Sequence, residues 1–191
     1  MSITEILTTL GTSFVNNRTT CLFMLTLPVI GMCERYGLKS KAITLIQKAS
    51  GLSTGMLLSG YSFIRQSTIA MGVYLGGHPQ FVRPLIYPMA EGAALAKYDE
   101  LDEKDIDRIK GLSAAADNLG NFFGQNIFMA NSGVLLIVST LDTLGINADA
   151  FKIAKASIPV AISAFILCVI RNYMFDRSIK MKYKSKERKN K

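Results

Sequence analysis

The chain has 191 residues, 49% of them hydrophobic, and 22 Lys and Arg against 14 Asp and Glu give a formal charge of +8. That length is enough for one sizeable domain, and a positive mean hydropathy above the usual soluble mixture makes a membrane protein the first class to test. Three cysteines and one histidine, with no CxxC pair, support neither a disulfide framework nor a zinc site, and no cofactor motif or other metal set is present.

The first residues lack a basic n-region, and the first apolar run is not followed by a small-residue cleavage pattern, so the N-terminus is expected to be kept. Ser2 and Glu5 have capping-box spacing, and Ile3, Ile6, Leu7, Leu10 and Phe14 recur at helical intervals. An amphipathic helix lying along the membrane is predicted, with a first core helix as the ordinary alternative.

Residues 19–33, between Arg18 and Glu34, form a short apolar segment that crosses a bilayer only with little tilt and help from its flanks. Cys21 and Cys33 lie within it, and Cys168 lies in another apolar run. The following Arg35, Lys39, Lys41 and Lys48 mark a cytoplasmic loop. Residues 49–64 and 66–77 would be one long apolar stretch but for Arg65, and 84–96 are apolar again.

Between them stands GGHPQFVRPLIYPMAEG, residues 76–92, with the single histidine and three of the five prolines. Its glycines and prolines predict a helix broken near 76–88, which within hydrocarbon requires surrounding protein or a water-filled cavity. Broken helices build substrate sites in secondary transporters. Arg65 and Arg83 are candidates for a carboxylate clamp, one holding the ligand while the other pairs with Glu91 or Asp117. His78 and Gln80 join them as candidate ligand contacts, unless the motif is an external turn facing water. Glu91 is a candidate for ion coupling.

The acid-rich KYDELDEKDIDRIK, residues 97–110, reads as a solvated helix of alternating charge on the cytoplasmic side, not as a magnesium site. Residues 119–141 come next, without an ionisable group. At their start, Asp117, Asn118, Asn121 and Gln125 fall within one arc of about 100° at helical periodicity. These amides are candidate substrate contacts or, equally, glue between helices, and Asp117 is a second ion-coupling candidate because an acid there needs a partner or a proton. Gly120 and Gly124 form a GxxxG step expected to meet a partner subunit, and Asn126, opposite the polar arc, is expected to mark a second break.

The loop at 142–151 carries Asp142 and Asp149 and no Lys or Arg, so it is expected outside. Residues 153–170 are the clearest spanning helix, charged only at Lys155. From Arg171 to Lys191 there are nine basic and two acidic residues, net +7, so the charge belongs to a tail after a spanning helix. That distribution reads as a cytoplasmic C-terminus and gives no ground for nucleic-acid binding. The fold predicted is an all-α membrane protein with four to five crossing or re-entrant segments, a single membrane domain at 1–177 and a basic tail at 178–191. No nucleotide fingerprint and no supported catalytic triad appears, so an enzyme is not expected.

FVNNRTTCLFMLTLPVIGMCERYGL, GGHPQFVRPLIYPMAEGAA and AADNLGNFFGQNIF, in that order, resemble the bacterial membrane family known as domain of unknown function 969. The resemblance runs from about Ile6 to Arg177, although members of that family usually carry further hydrophobic sequence ahead of the amphipathic segment. It implies a subunit of a proposed 5-oxoproline (pyroglutamate) uptake system in the bacterial cytoplasmic membrane, paired with a second, larger multispanning subunit. It assigns no functional residues. The expectation is therefore a secondary-transporter subunit for a small organic anion, coupled to H⁺ or Na⁺, with a non-transporting scaffold or regulatory subunit as the alternative.

Overall fold

The structure, a computed structural model, describes residues 2–16, 51–74, 76–98 and 100–189, with Pro28, Met32 and 35–37 as isolated positions. Apart from those positions, the short apolar segment at 19–33 and the basic loop after it lie outside the described residues. Among the described residues there are six α-helices, one π-helical turn and no strand: α1 (Ile3–Asn16), α2 (Thr54–Ala70), the π turn (Val82–Ile86), α3 (Tyr87–Leu95), α4 (Glu103–Gln125), α5 (Ser132–Thr143) and α6 (Ala150–Lys189). The all-helical class agrees with the periodicity of the sequence.

The start of α1 is the capping box that its spacing predicts. Ser2 N–H donates to Glu5 Oε2 at 2.7 Å and Glu5 N–H to Ser2 Oγ at 3.2 Å, satisfying two donors that the first turn leaves open. None of the helix is buried, so Ile3, Leu7, Leu10 and Phe14 present an uncovered apolar face.

Helix α6 is the one described helix long and apolar enough to cross a bilayer. Its 40 residues reach about 60 Å at ~1.5 Å per residue, twice the ~30 Å of hydrocarbon. Val160, Ile162, Ile166 and Leu167 remain half-exposed or more, as lipid-facing side chains do. The helix does not stop at the basic tail, and Ile179 and Tyr183 are buried in the core.

Two apolar stretches do not cross as single helices. The run at 119–141 is interrupted: α4 ends at Gln125, and α5 starts again at Ser132 with Asn131 Oδ1 accepting Gly133 N–H at 2.9 Å. An asparagine amide that caps the next helix competes with continuation of the previous one, so the break expected at Asn126 widens into a turn. The 12 residues of α5 reach only about 18 Å. Residues 84–96 are likewise divided between the π turn and the nine residues of α3, with Pro88 in the first turn.

Helix α2 packs most extensively on α4 and next on α6. It runs parallel to α4, with Tyr61 opposite Asp117, and antiparallel to α6, with Gly55 against Asn172 and Gln66 against Ala161. Glycine makes these crossings close. A Cβ at Gly55 would lie 2.3 Å from Asn172 O, one at Gly124 2.7 Å from Gln66 O, and one at Gly120 3.0 Å from Arg65 Cβ. The GxxxG step is thus filled by α2 of the same chain, which corrects its expected role as a surface for a partner subunit.

The core joins Leu57 and Leu58 of α2, Ile86, Ala90, Ile109 and Leu112, and Phe175 and Ile179 of α6. The acid-rich segment departs from a solvated helix at Ile109, in the core, and at one of its acids. Asp105 is 1% exposed and faces Lys182 Nζ at 2.5 Å, Tyr183 O–H at 3.1 Å and Arg108 Nη1 at 3.3 Å. Burying a carboxylate is tolerated when its charge is matched, and here the basic tail supplies the match.

Candidate polar site beside the middle of α2

After α2 ends, Gly72 and Gly76 adopt φ of 80° and 86°, which turn the chain back on itself. Gly72 is doubly required, since a Cβ there would lie 2.7 Å from the Phe128 ring. The returning segment places Phe81 in a stack on Tyr61, ring centroids 6.2 Å apart. The π turn forms because Pro84 has no N–H to give: Arg83 N–H bonds His78 O at 3.0 Å and Ile86 N–H bonds Phe81 O at 3.2 Å, both spanning five residues. The proline-rich motif therefore lies alongside the middle of α2, not beyond its end, as the predicted break near 76–88 requires.

There it meets a buried charge cluster. Asp117, 2% exposed, has Arg65 Nε 3.0 Å from Oδ1 and His78 Nε2 3.1 Å from Oδ2, and it accepts a short hydrogen bond from the Tyr61 hydroxyl. Because that carboxylate oxygen is an acceptor, His78 Nε2 carries a proton, with Asn118 Oδ1 also 2.9 Å away. Arg65 is 4% exposed, yet its bonding is incomplete. Its Nη2 reaches Asn121 Oδ1 at a long 3.4 Å, while Nε points off the aspartate oxygen and Nη1 has no hydrogen-bond partner among the described residues. A buried guanidinium is normally fully bonded, so open donors mark a place where an acceptor belongs.

The depth of this cluster is set by two contacts with α6. Gln66 donates to Ala161 O at 3.0 Å, and Cys168 Sγ lies 3.7 Å from Ser62 Oγ. Arg65 is thus level with residues between 161 and 168, inside the apolar run at 153–170.

Of the residues singled out from the sequence, Arg65, His78, Asn118, Asn121 and Asp117 come together. Gln125 lies one turn beyond Asn121, half-buried. Gln80 and Arg83 are on the motif but exposed. Glu91 stands apart, beside Tyr87 and near Lys110. Tyr61 is the member that sequence reasoning misses, although it sits one turn before Arg65 on the same face, which is the spacing that signals a shared partner.

Chemically, the arrangement offers open guanidinium donors to an anion, beside a buried aspartate that contacts His78, itself about a third exposed. Neither a curated protein nor a solved structure matches this sequence significantly. One family does, over residues 1–180, and the chain belongs to it: the family described as protein of unknown function (DUF969).

Proposed function

We propose that the chain is one subunit of a secondary transporter that takes up a small organic anion, 5-oxoproline by the family resemblance, together with a second multispanning subunit. The observation that carries this reading is the buried Arg65, whose open donors lie level with the interior of the apolar run and beside irregular backbone. Transporters bind substrate at such breaks near the bilayer midplane, and intramembrane charge is functional by default. Arg65 then serves both acids, its guanidinium charge paired with Asp117 across the 3.0 Å contact and its open donors left for the ligand carboxylate. Asn118, Asn121 and Gln125 suit the lactam carbonyl and N–H, and Gln80 and Arg83 are the exposed polar residues on the same motif as His78. Asp117 is the coupling group, with His78 between it and solvent, and Glu91 keeps a secondary coupling role beside Tyr87 and Lys110.

In this reading the chain is a multi-pass protein of the bacterial cytoplasmic membrane with four to five crossing or re-entrant segments and a cytoplasmic C-terminus. Uptake of labelled 5-oxoproline into vesicles tests it, first with this chain and then with its partner subunit. Transport by the pair that falls at least about tenfold in Arg65→Lys at equal abundance supports the clamp, since lysine keeps the charge and loses the fork. Full transport by Arg65→Lys, Arg65→Ala, Arg83→Lys and Arg83→Ala would end the clamp reading. Transport by the partner without this chain would make the chain a regulatory subunit.

A further inference from the structure

A second site lies at the other end of the bundle, where α6 leaves its apolar run. A cavity of about 740 Å³ opens between the start of α2, the end of α3 and residues 173–184 of α6. Four cations line it: Lys97, Arg177, Lys180 and Lys184. None of them has an ion-pair partner among the described residues. The one acid in the lining, Asp176, is engaged elsewhere, its Oδ1 accepting Gly55 N–H at 2.9 Å and its Oδ2 accepting the Ser53 hydroxyl at 2.5 Å. The cavity therefore carries a net positive charge.

Along α6 from the cavity towards the apolar run, the surface turns apolar. Ile162, Ile166 and Tyr173 continue the face of Arg177, Lys180 and Lys184 at spacings of three, four and seven, and all three are half exposed or more. Met56 and Phe63 of α2 run beside them, also exposed, and Phe63 meets Phe165 with ring centroids 5.6 Å apart. Tyr98 and Tyr173 stand at the boundary, where amphipathic rings mark the membrane–water interface. A free phosphate would use the cations and leave the apolar track without purpose. A phospholipid uses both, because its phosphate sits at the level of the cations while its chains run along hydrocarbon-facing side chains.

We infer that this cavity binds the headgroup of an anionic phospholipid, with its acyl chains lying along the groove between α2 and α6. Basic pockets at the membrane boundary of helix bundles hold such headgroups, each cation contributing about a fivefold gain in affinity. The site is independent of the Arg65 cluster, so it stands even if the transport reading fails.

The full chain, purified in a mild neutral detergent and equilibrated with mixed micelles of phosphatidylglycerol and phosphatidylcholine, provides the test by native mass measurement. Phosphatidylglycerol is expected to remain bound in preference to phosphatidylcholine. The double substitution Lys180→Gln and Lys184→Gln, both exposed and so compatible with folding, should weaken retention about 25-fold. Lys152→Gln with Lys155→Gln removes the same charge from the opposite end of α6 and should change nothing. An equal loss in both double variants would overturn the site in favour of diffuse attraction. Displacement of the lipid by millimolar inorganic phosphate would overturn it in favour of a free anion, whereas persistence against phosphate supports the acyl track.

Discussion

Replacing Gly124 by alanine opposes two effects on the same helix. Alanine is the better helix former, worth about 1 kcal/mol over glycine in a helix interior. At Gly124, however, the added Cβ lies 2.7 Å from Gln66 O and 3.0 Å from Ile69 Cβ, where ordinary contact begins near 3.4 Å. The shortfall is against backbone, so α2 and α4 must separate by a large fraction of an ångström. Overpacking of that kind costs about 1–3 kcal/mol, which outweighs the propensity gain and leaves a net loss of about 1 kcal/mol. For a chain of this length that lowers Tm by about 3 °C.

Gly111 on the same helix is the control, because nothing lies within 4 Å of its Cβ position. Gly111→Ala keeps only the propensity term and should raise Tm by about 3 °C. Gly120→Ala falls between, its Cβ meeting Arg65 Cβ and Cγ at 3.0 Å each, and should disturb the Arg65 contact with Asp117 more than stability. Helix-detected thermal unfolding in one detergent measures all three. If Gly124→Ala melts with Gly111→Ala above the unaltered chain, the close crossing of α2 and α4 is wrong.

Asp176→Ala removes the acceptor of both Gly55 N–H and the Ser53 hydroxyl at the start of α2, and should cost about 1–2 kcal/mol in the same unfolding measurement. Lys182→Ala takes one cation from buried Asp105, leaving Arg108 and Tyr183 beside it; with the lysine itself about a third exposed, the expected loss is about 1–2 kcal/mol. Hydrogen bonds to Asp102 and then Asp105 raise the Lys182 ammonium above its ordinary 10.5, so its stabilisation is complete below that value and is lost only as pH rises through the folded one. The difference in Tm between the chain and Lys182→Ala should therefore be flat from about pH 6 to 9, and a steep fall inside that range would refute the pairing. In a background without native cysteines, Asn147→Cys should react with an impermeant thiol reagent in intact cells and Lys186→Cys should not, and the reverse pattern would invert the proposed orientation.

Much of the fold was legible because helical periodicity and capping are local. Ser2 and Glu5 announced the start of α1, the run at 153–170 with its single charge at Lys155 announced α6, and the prolines at 84 and 88 announced the irregular turn between α2 and α3. Arg65 and Asp117 stood out because ionisable groups in apolar surroundings need partners. What sequence could not give was pairing across the fold. Gly120 and Gly124 are compatible with a partner in another chain or in the same one, and only the position of α2 decides. Asp105 looked solvated because its neighbours alternate in charge, and the lysine that neutralises it lies 77 residues away. The break expected at Asn126 was legible, but not its extent, because Asn131 delays the restart by capping the next helix, an effect that hydropathy does not register.

The polar cluster also bears on where the second subunit of the proposed transporter would sit. Asp117 and Arg65 are covered, but Asn118 on the next position of α4 is exposed, and Phe122 one turn later is 54% exposed. His78, which bridges Asp117 and Asn118, lies on the same open side. A polar edge level with an apolar run has no stable place against lipid, because hydrocarbon offers its hydrogen-bonding groups nothing. The opposite face of α4 cannot turn to cover it, since Gly120 and Gly124 are already locked on α2. Within the proposed transporter, the second subunit therefore belongs against the side of α4 that carries Asn118 and Phe122. Docked there it would complete the wall of the Arg65 site, and a ligand carboxylate would be enclosed between the two subunits.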